Sequence, residues 1–101
     1  MTYRFIVTAS LSEAGEKAFL AYLKEHGVGW WHRAPSFWLL VTRRQGAISV
    51  IGIRDKLREL GITSAVALVM EIPEDITWAG LHPPDRKDTF DWLRNTWVDK
   101  V

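Results

Sequence analysis

The chain has 101 residues, 48% of them hydrophobic and 25% charged, which is enough for one domain with one hydrophobic core. Thirteen basic and twelve acidic residues leave a formal charge of +1. This balance excludes a whole-molecule field that would drive nonspecific binding to nucleic acid or to anionic membranes. The absence of cysteine excludes disulfides, thiolate metal sites and cysteine nucleophiles. Six tryptophans in so short a chain are the unusual feature.

The sequence contains no long apolar run. None of its stretches reaches the length of about eighteen apolar residues that a membrane span needs. The N-terminal residues, Met1 to Arg4, do not have the pattern of a signal peptide. The lack of cysteine agrees with a reducing compartment. We therefore expect a cytoplasmic protein that makes no membrane contact.

The first predicted elements are a strand and a helix. Residues 2–9 are rich in β-branched and aromatic side chains and contain no glycine or proline, which is typical of a strand. The helix is predicted from about Ser12 to His26, with Ser10 and Ser12 as the candidate N-caps, and Gly27 follows as a C-terminal cap. Its apolar stripe at helical spacing consists of Gly15, Phe19, Tyr22, Leu23 and His26.

A hairpin and a second helix come next. Two apolar runs within residues 28–42 are separated by a short segment that contains Pro35, which predicts a β-hairpin because proline fixes φ for a turn. The polar residues 43–46 form a loop before a second helix, which is predicted from Ala47 to Leu60. Its core stripe consists of Val50, Ile53, Leu57 and Leu60.

The last predicted strand, residues 64–72, is apolar on both alternating faces, which indicates a strand covered on both sides. The order strand, helix, strand, strand, helix, strand predicts an α+β fold of the ferredoxin-like β-α-β-β-α-β type, with two helices on one sheet face. The other face then needs a cover, which C-terminal residues or a second copy of the chain can supply. We expect a contribution from each.

The composition changes after this strand. We predict a ferredoxin-like core over residues 1–72 and a C-terminal arm and helix over residues 73–101, packed on the core or on a dimer partner. The arm is irregular because prolines 83 and 84 exclude a helix there, and a last helix is predicted from Asp85 to Val98. Basic residues outnumber acidic ones in the core, and the reverse holds in the tail.

The hairpin concentrates aromatic and basic side chains. Strand alternation places Trp30 and His32 on one face and Trp31 and Arg33 on the other. Exposed rings beside arginines could stack on the bases of a single strand, whereas buried rings would fill the core or a dimer interface, which we favour. Candidate nucleic-acid or partner contacts are Trp31, Arg33, Trp38, Arg43 and Arg44. Candidate dimer or core packing residues are Trp30, Val66, Leu68, Met70, Trp78 and Trp97.

No local motif for catalysis is present in the sequence. The three histidines, His26, His32 and His82, lack the spacing of zinc ligands, and no glycine-rich phosphate loop occurs. His32 could act as a general acid only if it faced a cleft. We therefore expect no catalytic residue, no metal and no cofactor.

Three segments carry a family resemblance: GWWHRAPSFWLLVT at residues 29–42, IRDKL at 53–57 and ITWAG at 76–80. They resemble the SinR-like small proteins of bacteria and phages, relatives of the CRISPR-associated adaptation nuclease and of the VapD-type ribonuclease toxins. The resemblance extends over residues 3–80. It implies a ferredoxin-like subunit that forms a homodimer, with the arm completing the sheet or the interface.

The chain departs from this family at the metal site. In the nuclease relatives the first strand ends in an aspartate that holds a divalent metal in the dimer, and this chain has Ser10 there. A serine hydroxyl supplies neither the charge nor the affinity that Mg²⁺ requires. We therefore favour a non-catalytic homodimeric binding protein, associated with phages or defence, that contacts protein rather than nucleic acid.

Two alternatives remain. One is a metal-dependent nuclease or endoribonuclease that uses other residues, such as His32 or Glu13. The other is single-stranded nucleic-acid binding through the tryptophan hairpin and its arginines, Arg33, Arg43 and Arg44.

Overall fold

Four strands and two longer helices follow one another in the predicted order. The computed structural model describes residues 2–73, 79–81 and 84–97. Its elements are β1 Tyr3–Thr8, α1 Glu13–Glu25, β2 Gly29–Ala34, β3 Phe37–Thr42, α2 Val50–Leu60, β4 Leu68–Ile72 and a short π-helical segment, Leu93–Trp97. The strands form one antiparallel sheet with the spatial order β2-β3-β1-β4. This small α+β fold is compatible with the predicted ferredoxin-like arrangement.

Two elements begin later than the sequence predicts. Helix α2 begins at Val50 because Ser49 is its N-cap, and the Ser49 hydroxyl accepts a hydrogen bond from the Gly52 amide at 3.0 Å. Strand β4 begins at Leu68 rather than at residue 64. The Ser64 hydroxyl lies 3.0 Å from the Val66 carbonyl and holds the intervening residues in a bend.

The predicted C-terminal helix is wrong over its first half. Residues 84–90 form turns, and helical structure begins only at Asp91. The Thr89 hydroxyl donates to the Arg86 carbonyl at 2.6 Å, which stabilises the turn in place of a helix. We refer to the described residues 84–97 as the C-terminal segment. The predicted positions of Trp78 and His82 lie outside the described residues.

Both helices cover one face of the sheet, where the main hydrophobic core forms. The predicted stripes supply Phe19 and Leu23 from α1 and Ile53 and Leu57 from α2, all of them at most 1% exposed. Burying a side chain of this size contributes about 1.5–3 kcal/mol. The remaining buried members of this helix-side core are Phe5, Val7, Ala9, Leu11, Val28, Trp38, Leu40 and Ile48.

The C-terminal segment covers part of the opposite face. Leu93 and Trp97 are buried against Leu39 and Val41 of β3, which forms a second hydrophobic cluster. Arg4 of β1 is buried on the same face, and its Nε donates to the Trp97 carbonyl. Trp97 therefore packs on its own sheet. Part of the expected cover comes from within the chain.

Candidate functional site

Trp38 belongs to the helix-side core and not to a surface. Its side chain is 0% exposed and meets the Phe19 ring edge to face at a centroid distance of 5.1 Å. Its indole Nε1 donates to the Ala9 carbonyl at 3.3 Å. The prediction that Trp38 contacts a partner is therefore wrong, because β3 directs this ring toward the helices.

His32 of β2 packs against β3, the other strand of the hairpin. Its ring stacks on the Trp38 ring at a centroid distance of 3.5 Å. Its Nδ1 lies 2.8 Å from the Phe37 carbonyl, and because a carbonyl only accepts, Nδ1 carries the proton. Its Nε2 lies 3.5 Å from the Glu16 carboxylate. Its Nδ1 and one ring face are thus engaged within the chain, and its Nε2 faces Glu16.

Trp31 lies on the opposite face of β2, as the alternation predicts. Its Nε1 donates to the Thr89 carbonyl at 2.8 Å, and its ring stacks on Phe90 at 5.9 Å between centroids. Arg33 lies 3.5 Å from the Asp88 carboxylate, and both side chains are exposed. The C-terminal segment therefore uses two of the candidate contact residues within the chain.

The structure does not bring the three candidate arginines together. Leu39 lies opposite Trp31 and Val41 lies opposite Gly29, so the hairpin runs from its turn toward the loop that follows β3. Arg33 lies at the turn end, whereas Arg43 and Arg44 are exposed beyond the other end. The guanidinium groups and the Trp31 ring thus do not form one stacking platform for a nucleic-acid strand.

Ser10, at the end of β1, takes part in a cluster of hydroxyl groups. Its hydroxyl contacts the Ser36 hydroxyl, and its amide donates to the Ser64 hydroxyl at 3.1 Å. Its carbonyl accepts from the Thr63 amide at 2.8 Å. Ser10 thus joins β1 to the hairpin turn and to the segment before β4. Among the described residues, no group of three or more histidine and acidic side chains could hold a metal ion.

An apolar cavity of about 440 Å³ lies between the sheet and the C-terminal segment. Its described lining residues are Ile6, Trp31, Phe37, Leu39, Ile72, Pro73, Ala79, Phe90, Leu93 and Trp97. Their side chains carry one kind of hydrogen-bonding group, the indole N–H, and that of Trp31 is already bonded to Thr89. The described lining therefore offers little to orient a charged substrate.

An exposed apolar surface runs along β4. Val66 is 71% exposed, Leu68 52% and Met70 49%, and Ile51 at the start of α2 is 59% exposed. Ile51 and Leu68 line one shallow surface depression, so the strand and the helix contribute to a continuous area. We call these four residues the β4 patch.

The two faces of β4 differ within one chain. Ala67 and Val69 pack against the helix-side core. Leu68 and Met70 lie opposite Thr8 and Ile6 of β1, on the other face, and stay exposed. Within the single chain this second face of β4 is covered at Ile72, which packs against the second hydrophobic cluster, and the cover expected from a second copy stays a prediction. The predicted packing residues Val66, Leu68 and Met70 are at the surface, while Trp30 is half-buried against the core.

No family model matches the chain, and it has no match among the curated proteins or the solved structures. Within the described residues, no helix has the length and apolar character needed to cross a membrane. The candidate function therefore depends on the geometry of the surfaces described above.

Proposed function

We propose that the chain is a non-catalytic homodimeric binding protein with a ferredoxin-like subunit, which acts through protein contacts. The β4 patch carries this proposal, because Leu68 and Met70 of β4, Val66 just before it and Ile51 of the neighbouring helix α2 are each about half exposed or more. Contiguous apolar surface on a small protein marks an interaction site. The SinR-like resemblance independently implies a homodimer and a phage or defence setting.

The sheet supports the ferredoxin-like part of the proposal. The strand order β2-β3-β1-β4 places the two strands of the hairpin on one side of β1 and β4 on the other. Both helices contribute to a single core on one face. Such a subunit leaves β4 at an edge, where a second chain has access to it.

The contacts of Ser10 and His32 favour binding over catalysis. A hydroxyl that contacts Ser36 lacks the charge with which an aspartate holds a divalent metal. A histidine ring stacked on buried Trp38, with Nδ1 bonded to a backbone carbonyl, has a packing role already. The apolar character of the β4 patch favours a protein partner over the phosphate backbone of a nucleic acid.

The mass of the protein in solution tests the dimer. We expect sedimentation equilibrium at micromolar concentration to give the mass of two chains. Met70→Lys places a charge in the β4 patch and should give the mass of one chain. Leu81→Lys is the matched control because Leu81 is 97% exposed outside the patch, and this variant should keep two chains. A wild-type mass of one chain would remove the dimer from the proposal.

A cleavage assay tests the nuclease alternative. We expect purified protein, incubated with RNA or DNA in Mg²⁺ or Mn²⁺, to produce the same background cleavage as a His32→Ala variant. Cleavage that increases with wild-type protein and disappears in the variant would support an enzyme and contradict the proposal.

A further inference from the structure

The outer edge of β4 is regular, and no other described residue pairs with it. Among the described residues β4 pairs only with β1, in continuous register over its five residues. Natural edge strands are usually blunted by bulges, by proline or by lysine. Within β4 the one charged residue is Glu71, and proline appears only after the strand has ended. The edge thus keeps the backbone geometry that accepts another strand.

We propose that two copies of the chain pair through β4 in antiparallel orientation, around a two-fold axis at Met70. The inference rests on the proposed homodimer and names its interface. A closed dimer uses the same surface twice, so the surface must complement itself. An axis perpendicular to the sheet keeps each residue on its own face, and therefore one residue must lie opposite its own copy.

Met70 is the residue that best satisfies this condition. It is the central residue of Leu68–Ile72, so an axis there pairs all five strand positions. An axis at Glu71 would place two carboxylates directly opposite each other, which is destabilising. An axis at Val69 would leave Ile72 outside the paired region. With the axis at Met70, Leu68 lies opposite Ile72 of the partner subunit, and the two apolar side chains share a face.

The charges beside β4 also fit this register. Glu71 lies opposite Phe5 of β1, a member of the helix-side core, so Glu71 shares the helix face with Val69. Arg54 of α2 lines the same depression as Val69. The pairing places Glu71 of the partner subunit opposite Val69, and therefore next to Arg54. The two-fold axis creates this contact twice.

Arg54 can reach Glu71 of the partner subunit at little cost, because its present ion-pair partner is exposed. Its guanidinium lies 3.0 Å from the carboxylate of the adjacent Asp55, and both side chains are about half exposed. An exposed pair of this kind contributes about 0–1 kcal/mol. The resulting dimer has a continuous eight-stranded sheet, with the helices of both chains on one face and both C-terminal segments on the other.

Cysteine crosslinking tests the register. The chain contains no cysteine, so any disulfide forms through the introduced residue. Directly opposed Cα atoms in an antiparallel pair are about 4.5–5.5 Å apart, which lies within the range for a disulfide. We expect Met70→Cys to form a disulfide-linked dimer under mild oxidation. Leu68→Cys is the control, because the two copies would be separated by about 13 Å along the strands. A mixture of Leu68→Cys and Ile72→Cys should crosslink one variant to the other.

The outcomes separate this inference from the proposed function. If the mass is that of two chains and Leu68→Cys forms a disulfide with its own copy as readily as Met70→Cys does, the register is wrong. The homodimer would remain. A one-chain mass would overturn both. A disulfide in Met70→Cys and none in Leu68→Cys supports the pairing.

Charge reversal provides a second test with its own rescue. We expect Arg54→Glu and Glu71→Arg each to raise the dissociation constant of the dimer about tenfold, since two symmetric contacts become repulsive. The double variant restores opposite charges and should return the constant to the wild-type range. Equal dissociation constants for the wild type and both single variants would contradict the predicted Arg54–Glu71 contact.

Discussion

The two edge strands of the sheet, β2 and β4, differ in the regularity of their register and in how their side chains are covered. At the β2 edge the register is interrupted between Trp31 and Ala34, and Arg33 lies beside Asp88. The Trp31 ring is covered by Phe90 of the C-terminal segment. At the β4 edge the register is regular, and Leu68 and Met70 are about half exposed. The C-terminal segment of the same chain therefore covers side chains at the β2 edge, whereas apolar side chains at the β4 edge stay exposed.

The difference between the two edges predicts that substitutions at each edge will affect stability in different ways. A substitution in the hairpin should lower the free energy of unfolding by the same amount at every protein concentration, because the contacts lie within one chain. A substitution in the β4 patch should change association, so its effect should depend on concentration. Three variants of the hairpin, in order from the largest expected effect to the smallest, test whether its contacts lie within one chain.

Trp38→Ala should have the largest effect. The substitution removes a fully buried ring and its contacts with Phe19 and His32, and we expect it to lower the free energy of unfolding by about 3–5 kcal/mol. Urea denaturation measures this loss. Trp38→Phe retains much of the volume and should lose less, which keeps the test informative if the alanine variant does not fold. A loss below about 1 kcal/mol would contradict the buried position.

Trp31→Phe should have an intermediate effect. It keeps an aromatic ring against Phe90 but removes the N–H that donates to Thr89, and we expect a loss of about 1 kcal/mol. Trp30→Phe is the control, since the Trp30 indole N–H has no hydrogen-bond acceptor among the described residues. Equal losses for the two variants in urea denaturation would show that the bond to Thr89 contributes nothing.

Arg33→Ala should have the smallest effect. The guanidinium lies 3.5 Å from the Asp88 carboxylate, and both groups are well exposed. Because such pairs are screened by solvent, we expect a loss of less than about 0.5 kcal/mol, reduced further by salt. A loss of several kcal/mol in low-salt denaturation would mean that this contact holds the C-terminal segment in place.

Much of the helix side of the fold could be predicted from the sequence. The spacing of Phe19 and Leu23, and of Ile53 and Leu57, identifies the side chains that are buried. Strand alternation correctly separates Trp31 from His32. Periodicity succeeds here because each helix buries one stripe and exposes the rest.

The surfaces could not be predicted in the same way. Strand β3 is apolar on both faces, so its sequence does not indicate which face meets the helices and leaves Trp38 a candidate both for packing and for a partner contact. Strand β4 is also apolar on both faces, yet Val69 packs against the helix-side core, whereas on the other face Ile72 packs and Leu68 and Met70 stay exposed. Ile51 belongs to the β4 patch because α2 begins beside the strand, and tertiary packing alone places it there.

Amide hydrogen exchange at several protein concentrations tests the comparison of the two edges most directly. Those amides of β4 (Leu68–Ile72) that point away from β1 should exchange more slowly as the protein concentration rises through the association range, because they become paired with the second copy. The amides of β2, Gly29–Ala34, should exchange at a constant rate. Exchange in β4 that is independent of concentration, or slowing in β2 instead, would contradict the assignment of β4 as the edge that binds a second copy.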